Sequence, residues 1–162
     1  MKVKELARAI AVCGADDDLR SAARVMQRDE TDVVPLVDAQ KTIRGVITLR
    51  AVCEAIAASA DRKPSTIKLG KIALEEILLC EPQEKFAKVL KKLIKNRIKY
   101  AAYASRQNAE RVAIISLPEI VAHFGADQKT IKKVLRALEK ISRPQPLVLT
   151  EIDVENQNKQ SD

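Results

Sequence analysis

Two kinds of apolar spacing alternate along this chain, and their order is written twice. Asp32-Val33-Val34-Pro35-Leu36-Val37-Asp38 is a short, nearly continuous apolar run, and Ile43-Arg44-Gly45-Val46-Ile47-Thr48 is a second run ending in a hydroxyl. Runs of this length, rich in β-branched residues and joined by a short polar turn, predict a pair of buried strands. The spacing then becomes helical over Leu49-Arg50-Ala51-Val52-Cys53-Glu54-Ala55-Ile56. A strand that hands its last side chain to a helix N-terminus makes a natural anion or nucleotide site, so this junction is the first candidate for function.

Upstream, Val3, Leu6, Ala7 and Ile10 recur at helical spacing and predict a short opening helix, followed by an extended Ala11-Val12-Cys13 closed by Gly14. Asp16-Asp17-Asp18 supplies a cap and first-turn acids for a helix through Leu19, Ala22, Ala23 and Met26. The three aspartates lack the alternating oxygens, central Gly and distant Glu of a calcium loop. Ala58 to Thr66, with Asp61-Arg62-Lys63-Pro64-Ser65, is the clearest loop.

Beyond that loop the order of elements repeats. Leu69, Ile72 and Ile77 lead into an extended Leu78-Leu79-Cys80, closed by Glu81-Pro82, and a helix follows through Phe86, Val89, Leu90, Leu93 and Ile94. Ile98 to Tyr103 and Val112 to Ser116 are the paired strands, and Pro118-Glu119-Ile120-Val121 opens a closing helix with Pro early in it. With a period of about 67 residues, Cys13 answers to Cys80, Leu19 to Phe86, Gly45 to Ala113 and Thr48 to Ser116. The expected division is a first repeat over 1–60, a linker over 61–68, a second repeat over 69–124, a basic amphipathic helix over 125–143 and an extended or disordered tail over 144–162. Each repeat is a β-α-β-β-α unit too small to bury its own sheet, which predicts one pseudo-symmetric α/β (α+β) body. In the extension, Gly125-Ala126-Asp127 caps a helix with Ile131, Val134, Leu135, Leu138 and Ile141 on one stripe, and Leu147 to Val154 has alternating apolar positions for a strand or a docking segment.

Composition narrows the chemistry. No apolar run reaches the length of a membrane span, and the N-terminus lacks a signal peptide's apolar core, so a cytoplasmic protein without a membrane is expected. Cys13, Cys53 and Cys80 show neither CxxC spacing nor an even count, which predicts reduced thiols, and a single His123 leaves no metal cluster or triad. With no nucleophile beside a base and no Gly-rich phosphate loop, no enzyme and no catalytic residue are expected. The formal charge of +7 is uneven. Residues 1–80 carry 13 Lys and Arg against 12 Asp and Glu, whereas 81–162 carry 16 against 10, and Lys85 to Lys99 holds seven basic residues and no acid. A nucleic-acid partner is an alternative on that ground, although no stacking aromatics or recognition motif accompany the charge.

The two copies resemble the cystathionine-beta-synthase (CBS) domain pair, or Bateman module, over roughly residues 1–124. The first copy carries the resemblance most closely, through Val3-Lys4-Glu5-Leu6, Asp18-Leu19-Arg20-Ser21-Ala22-Ala23, Val34-Pro35-Leu36-Val37-Asp38 and Gly45-Val46-Ile47-Thr48-Leu49-Arg50. The resemblance implies two three-stranded sheets that meet, two clefts between copies, a homodimer, and regulatory binding of an adenosine compound such as AMP, ADP or ATP with no catalysis and no required cofactor.

The family's ligand pattern is Gly, two apolar residues, Thr or Ser, then Asp three residues on. The first copy keeps Gly45, Thr48 and Arg50 but has Ala51 at the Asp position. The second has Ala113 for Gly, keeps Ser116, and has Glu119 in the acidic position, which makes it the better expected ribose site. Cys80, Tyr100, Ala101 and Ala102 are its expected flanks, with Cys13, Val34 and Pro35 the equivalents in the first. Thr48 and Ser116 serve equally well as helix caps. Two alternatives stand beside the nucleotide sensor: the nucleic-acid-associated protein, and a ligand-free dimerising scaffold that docks a protein partner through its C-terminal extension.

Overall fold

The computed structural model describes residues 1–59, 61–104, 110–123 and 128–142. The predicted cap of the last helix at 125–127 and the segment from Leu147 to Val154 lie outside them. Strands β1 (Arg8–Ala11), β2 (Cys13–Gly14), β3 (Val33–Val37), β4 (Ile43–Thr48), β5 (Ile77–Leu79), β6 (Tyr100–Ala104) and β7 (Arg111–Ser116) alternate with helices α1 (Leu19–Asp29), α2 (Leu49–Ala58), α3 (Phe86–Asn96), α4 (Leu117–His123) and α5 (Gln128–Ser142).

The strands form a four-stranded sheet in the order β1-β7-β6-β5 and a three-stranded sheet in the order β2-β3-β4. The expected three-plus-three division is therefore shifted by one strand. β1 leaves its own half and runs antiparallel to β7, with Ala9 opposite Ala113 and Ile10 opposite Val112. The predicted opening helix is a single 3-10 turn, Val3–Glu5, followed by that strand. Val3 and Leu6 are buried, but against Phe86, Val89 and Leu93 of the second half, so the apolar spacing reflects a turn and a strand serving one core. The exchange is mutual, because Leu69, at the start of the second repeat, is buried with Leu19, Met26 and Val34 of the first half.

β3 is buried along its whole length because both of its faces are covered. Val34 and Leu36 face α1 and α2, and Val33 packs between the sheets with Val46, Ile10, Tyr100 and Ile114. Pro35 fits this central strand for a specific reason. Its neighbour Val46 turns its N–H and C=O to Glu75 at 3.0 and 2.9 Å, so Pro35 and Val46 form a non-hydrogen-bonded pair. β2 meets β3 only from Leu36 onward, and the absent N–H breaks no ladder bond.

Gly45 marks the tightest approach between the halves. A Cβ there would meet the Glu75 carbonyl oxygen at 2.9 Å and the Leu74 Cβ at 3.1 Å. Its counterpart Ala113 lies in the regular β1–β7 ladder, where a methyl has room. Helix α5 packs on α3 and α4 by burying Val134, Ala137 and Ile141 against Leu90, Leu93 and Ile120. The buried stripe also includes Thr130, while Leu135, expected in it, is exposed.

Candidate functional site

The ends of β4 and β7 deliver Thr48 and Ser116 to one cleft of about 500 Å³, lined also by Asp32, Arg50, Cys53, Glu75, Lys99, Tyr100 and Glu119. The two helix starts are built alike. Leu49 N–H donates to the Asp32 carbonyl at 2.8 Å, and Leu117 N–H to the Lys99 carbonyl at 3.1 Å. Ala51 N–H donates to Thr48 Oγ1 at 3.2 Å, and Glu119 N–H to Ser116 Oγ at 3.4 Å. Both hydroxyls thus cap their helices, as local sequence led one to expect.

The second position of each first turn separates the two copies. In α4 it is Pro118, which has no N–H, so the first three positions of that helix offer no open donor. In α2 it is Arg50, whose N–H takes no acceptor among the described residues. The open, positively polarised donor of the cleft therefore belongs to the first copy. A smaller space of about 220 Å³ continues from it past Ala51, Glu54, Ala73, Leu74 and Glu75.

Glu119 faces the cleft but is already engaged. Its Oε1 accepts from Thr31 Oγ1 at 2.6 Å and its Oε2 from Arg8 Nη1 at 3.3 Å, with 15% of the side chain exposed. Arg8 also donates to the Asp29 carbonyl at 2.7 Å, so it holds the C-terminal end of α1 as well. Behind it, Asp29 accepts from Ala11 N–H at 2.9 Å and from Arg111 Nη2 at 3.2 Å. Burial acts to raise the Asp29 carboxyl, but hydrogen bonds from Arg28 and Ala11, together with the Arg111 charge, outweigh it and hold its pKa below the usual range.

Across the cleft, Glu75 meets Lys99 at 3.6 Å. Arg50 lies over α2 with its Nε on Glu54 at 2.7 Å. Burial raises the Tyr100 phenol, assisted by the carboxylates of Glu75, Glu119 and Asp32, so the ring enters the cleft wall as a neutral hydrogen-bonding group.

Of the residues singled out from the sequence, Thr48, Arg50, Tyr100, Ser116 and Glu119 are brought together here. Cys13, Val34, Ala101 and Ala102 are buried in the cores, and Pro35 lies buried in β3. Cys80 is half-buried with its Sγ 3.5 Å from the Ala102 carbonyl. Burial pushes the Cys13 and Cys80 thiols up to about 11. Asp32, Glu75 and Lys99 are cleft residues that the sequence pattern does not mark. The period places Asp32 and Lys99 at matching positions, and Glu75 arrives from the segment that crosses Gly45.

This arrangement of paired β-β-α units around a shared cleft agrees with the comparisons to known proteins. Residues 3–58 match the family model of the CBS domain. A conserved CBS-domain protein from Thermoplasma acidophilum superposes with a TM-score of 0.59 at 14% identity, covering 85% of this chain and 75% of that one. A CBS domain pair in complex with 5′-methylthioadenosine and S-adenosyl-L-methionine gives 0.57 at 18%, covering 77% and 100%. A CBS-domain protein from Agrobacterium tumefaciens gives 0.54 at 16%, covering 75% and 96%. The search of curated proteins found no match. Residues 3–58 thus carry a match to the CBS domain, and the fold of the described residues is that of the CBS-domain pairs on which the chain superposes. Among the described residues no helix is long and apolar enough to cross a membrane, and no group of three or more His, Cys, Asp or Glu could hold a metal.

Proposed function

We propose that the protein is a regulatory module that binds an adenosine compound in the cleft between Thr48 and Ser116 and passes occupancy on through a homodimer. The observation that carries this reading is the Arg50 N–H, left open among the described residues at the start of α2, in the cleft that Lys99 and Tyr100 also line. A phosphate or carboxylate docks on that donor, and the tyrosine flanks the base or ribose. Asp32 and Glu75 are acceptors within the same cleft for ribose hydroxyls, replacing the carboxylate that Ala51 does not provide. Glu119 enters as the residue that fixes the wall through Arg8 and Thr31.

The charge balance favours ligands with few phosphates. Three carboxylates, Asp32, Glu75 and Glu119, line the cleft beside two cations, Arg50 and Lys99, an arrangement that suits AMP or an adenosyl sulfonium better than ATP. The solved CBS pair with 5′-methylthioadenosine and S-adenosyl-L-methionine supports the same ligand class. Calorimetric titration with AMP, ATP, 5′-methylthioadenosine and S-adenosyl-L-methionine tests the proposal. AMP or an adenosyl sulfonium should bind more tightly than ATP, and absence of heat from all four at millimolar concentration sinks it.

A further inference from the structure

Residues 81–162 hold 16 of the 29 Lys and Arg, and of these the nucleotide cleft uses Lys99 alone among the described residues. The fold brings two of the helices that carry this charge into contact. Helices α3 and α5, far apart in sequence, lie side by side on one core, joined by Leu90, Leu93, Val134, Ala137 and Ile141 and by Arg97, which donates to the Ile141 carbonyl at 2.8 Å. Each helix carries a stripe of exposed cations with the same spacing. Lys88, Lys91 and Lys95 recur at i, i+3 and i+7 on α3, and Lys133, Arg136 and Lys140 do so on α5. Residues so spaced lie along one side of a helix over about 10 Å. Apart from Lys88, which reaches Glu84 at 3.9 Å, none of these six pairs with a carboxylate among the described residues.

We propose that the α3–α5 pair is a docking surface for the phosphate backbone of double-stranded DNA. Single strands are bound chiefly on aromatic platforms, and the exposed positions of these two helices carry no aromatic residue. A lipid surface requires an apolar helix face to enter it, and here both apolar faces are spent on the core, leaving only Leu135 exposed on α5. Few short polar side chains accompany the cations to read ribose 2′-hydroxyls, which sets duplex RNA behind duplex DNA. The contact is therefore sequence-independent and electrostatic, with affinity falling steeply as salt displaces the advantage of counterion release.

A gel shift of the full chain on a 30-base-pair duplex of arbitrary sequence, at about 50 and 200 mM salt, tests this. Binding is expected at the lower salt and weakens by tenfold or more at the higher. The exposed triple variant Lys133→Ala, Arg136→Ala, Lys140→Ala should lower the slope of log affinity against log salt by about 3. A charge-matched control, Lys41→Ala, Arg62→Ala, Lys63→Ala in the first half, should leave the slope unchanged, and AMP titration should be the same in all three proteins. Equal loss in the control, no shift at about 50 mM salt, or retention only on duplex RNA or on phosphatidylserine vesicles overturns the proposal.

Discussion

The Arg8 guanidinium meets the Glu119 carboxylate at 3.3 Å across a sequence separation of 111 residues. The pair links β1 of the first half to α4 of the second, and Thr31 brings a third segment to the same carboxylate. Glu119→Ala removes the acceptor of both donors and should destabilise the fold by about 2 kcal/mol, since a partly buried, charge-assisted pair is worth more than a surface one. Glu119→Gln retains an oxygen for Thr31 and should cost about half as much. Urea denaturation of the three proteins measures the series, and equal stability of wild type and Glu119→Ala would refute the tie.

Restoring the missing carboxylate of the first copy should strengthen ligand binding. Ala51 stands in the first turn of α2, where the helix dipole favours an acid, and it borders the space next to Thr48 and Arg50. Ala51→Asp should raise affinity for AMP about tenfold, or 1.4 kcal/mol. Arg50→Pro, which removes the open N–H as Pro118 does at the start of α4, should lower it by a similar factor. Isothermal titration reads both, and an unchanged affinity in each would remove α2 from the binding site.

The approach at Gly45 predicts a steep penalty for one methyl group. Gly45→Ala drives a Cβ into the Glu75 carbonyl, a backbone atom held by its own pairing with Val46. A loss of about 2 kcal/mol is expected, against about 1 kcal/mol for the opposite change Ala113→Gly in the open ladder. Thermal unfolding should rank them in that order.

Acid should act through carboxylates held below their ordinary values. The Asp29 carboxyl is lowered against the effect of burial, and the Lys92 hydrogen bond lowers Glu84. In both cases the folded pKa lies beneath the unfolded one, so the unfolded chain takes up protons first as pH falls. The stability they contribute is complete above the ordinary values of 3.8 and 4.5 and is lost as pH falls through the folded ones. Asp29→Asn should flatten the decline below pH 4, as followed by the urea midpoint at successive pH values. An identical pH profile would show that Asp29 is not a source of the acid sensitivity.

The three cysteines should titrate in order of access. Cys53 is exposed on α2, Cys80 is half-buried, and Cys13 is buried. With the thiols of Cys13 and Cys80 pushed up to about 11, a disulfide reagent at pH 8 should consume one thiol rapidly and the other two only with unfolding. Three equally fast thiols would contradict the packing around β2 and β5.

Local features are written in the sequence itself. The runs around Val34 and Ile115 are continuous because strands covered on both faces need no polar side, and Thr48 and Ser116 cap helices beginning one residue later. The site was legible only in part, because its walls are assembled from distant segments. Glu119 reads as a free ribose acceptor until Arg8 and Thr31 are placed beside it. Cys13, Val34 and Ala101 border the family's expected pattern in sequence, yet here they face the cores. Val3, Leu6 and Ile10 fit a helix over eight residues, too few to separate that period from a turn followed by a strand.

The exchange of β1 also sets a schedule for synthesis. Ile10 pairs with Val112 and Ala9 with Ala113, so β1 waits for β7, the last of the described strands. A nascent chain that has emerged only through the linker holds β1 without β7 and therefore presents an open strand edge, which invites pairing with another chain. Such long-range closure is slow compared with helix formation, and the interval between the two is when this protein is most exposed to aggregation on the ribosome.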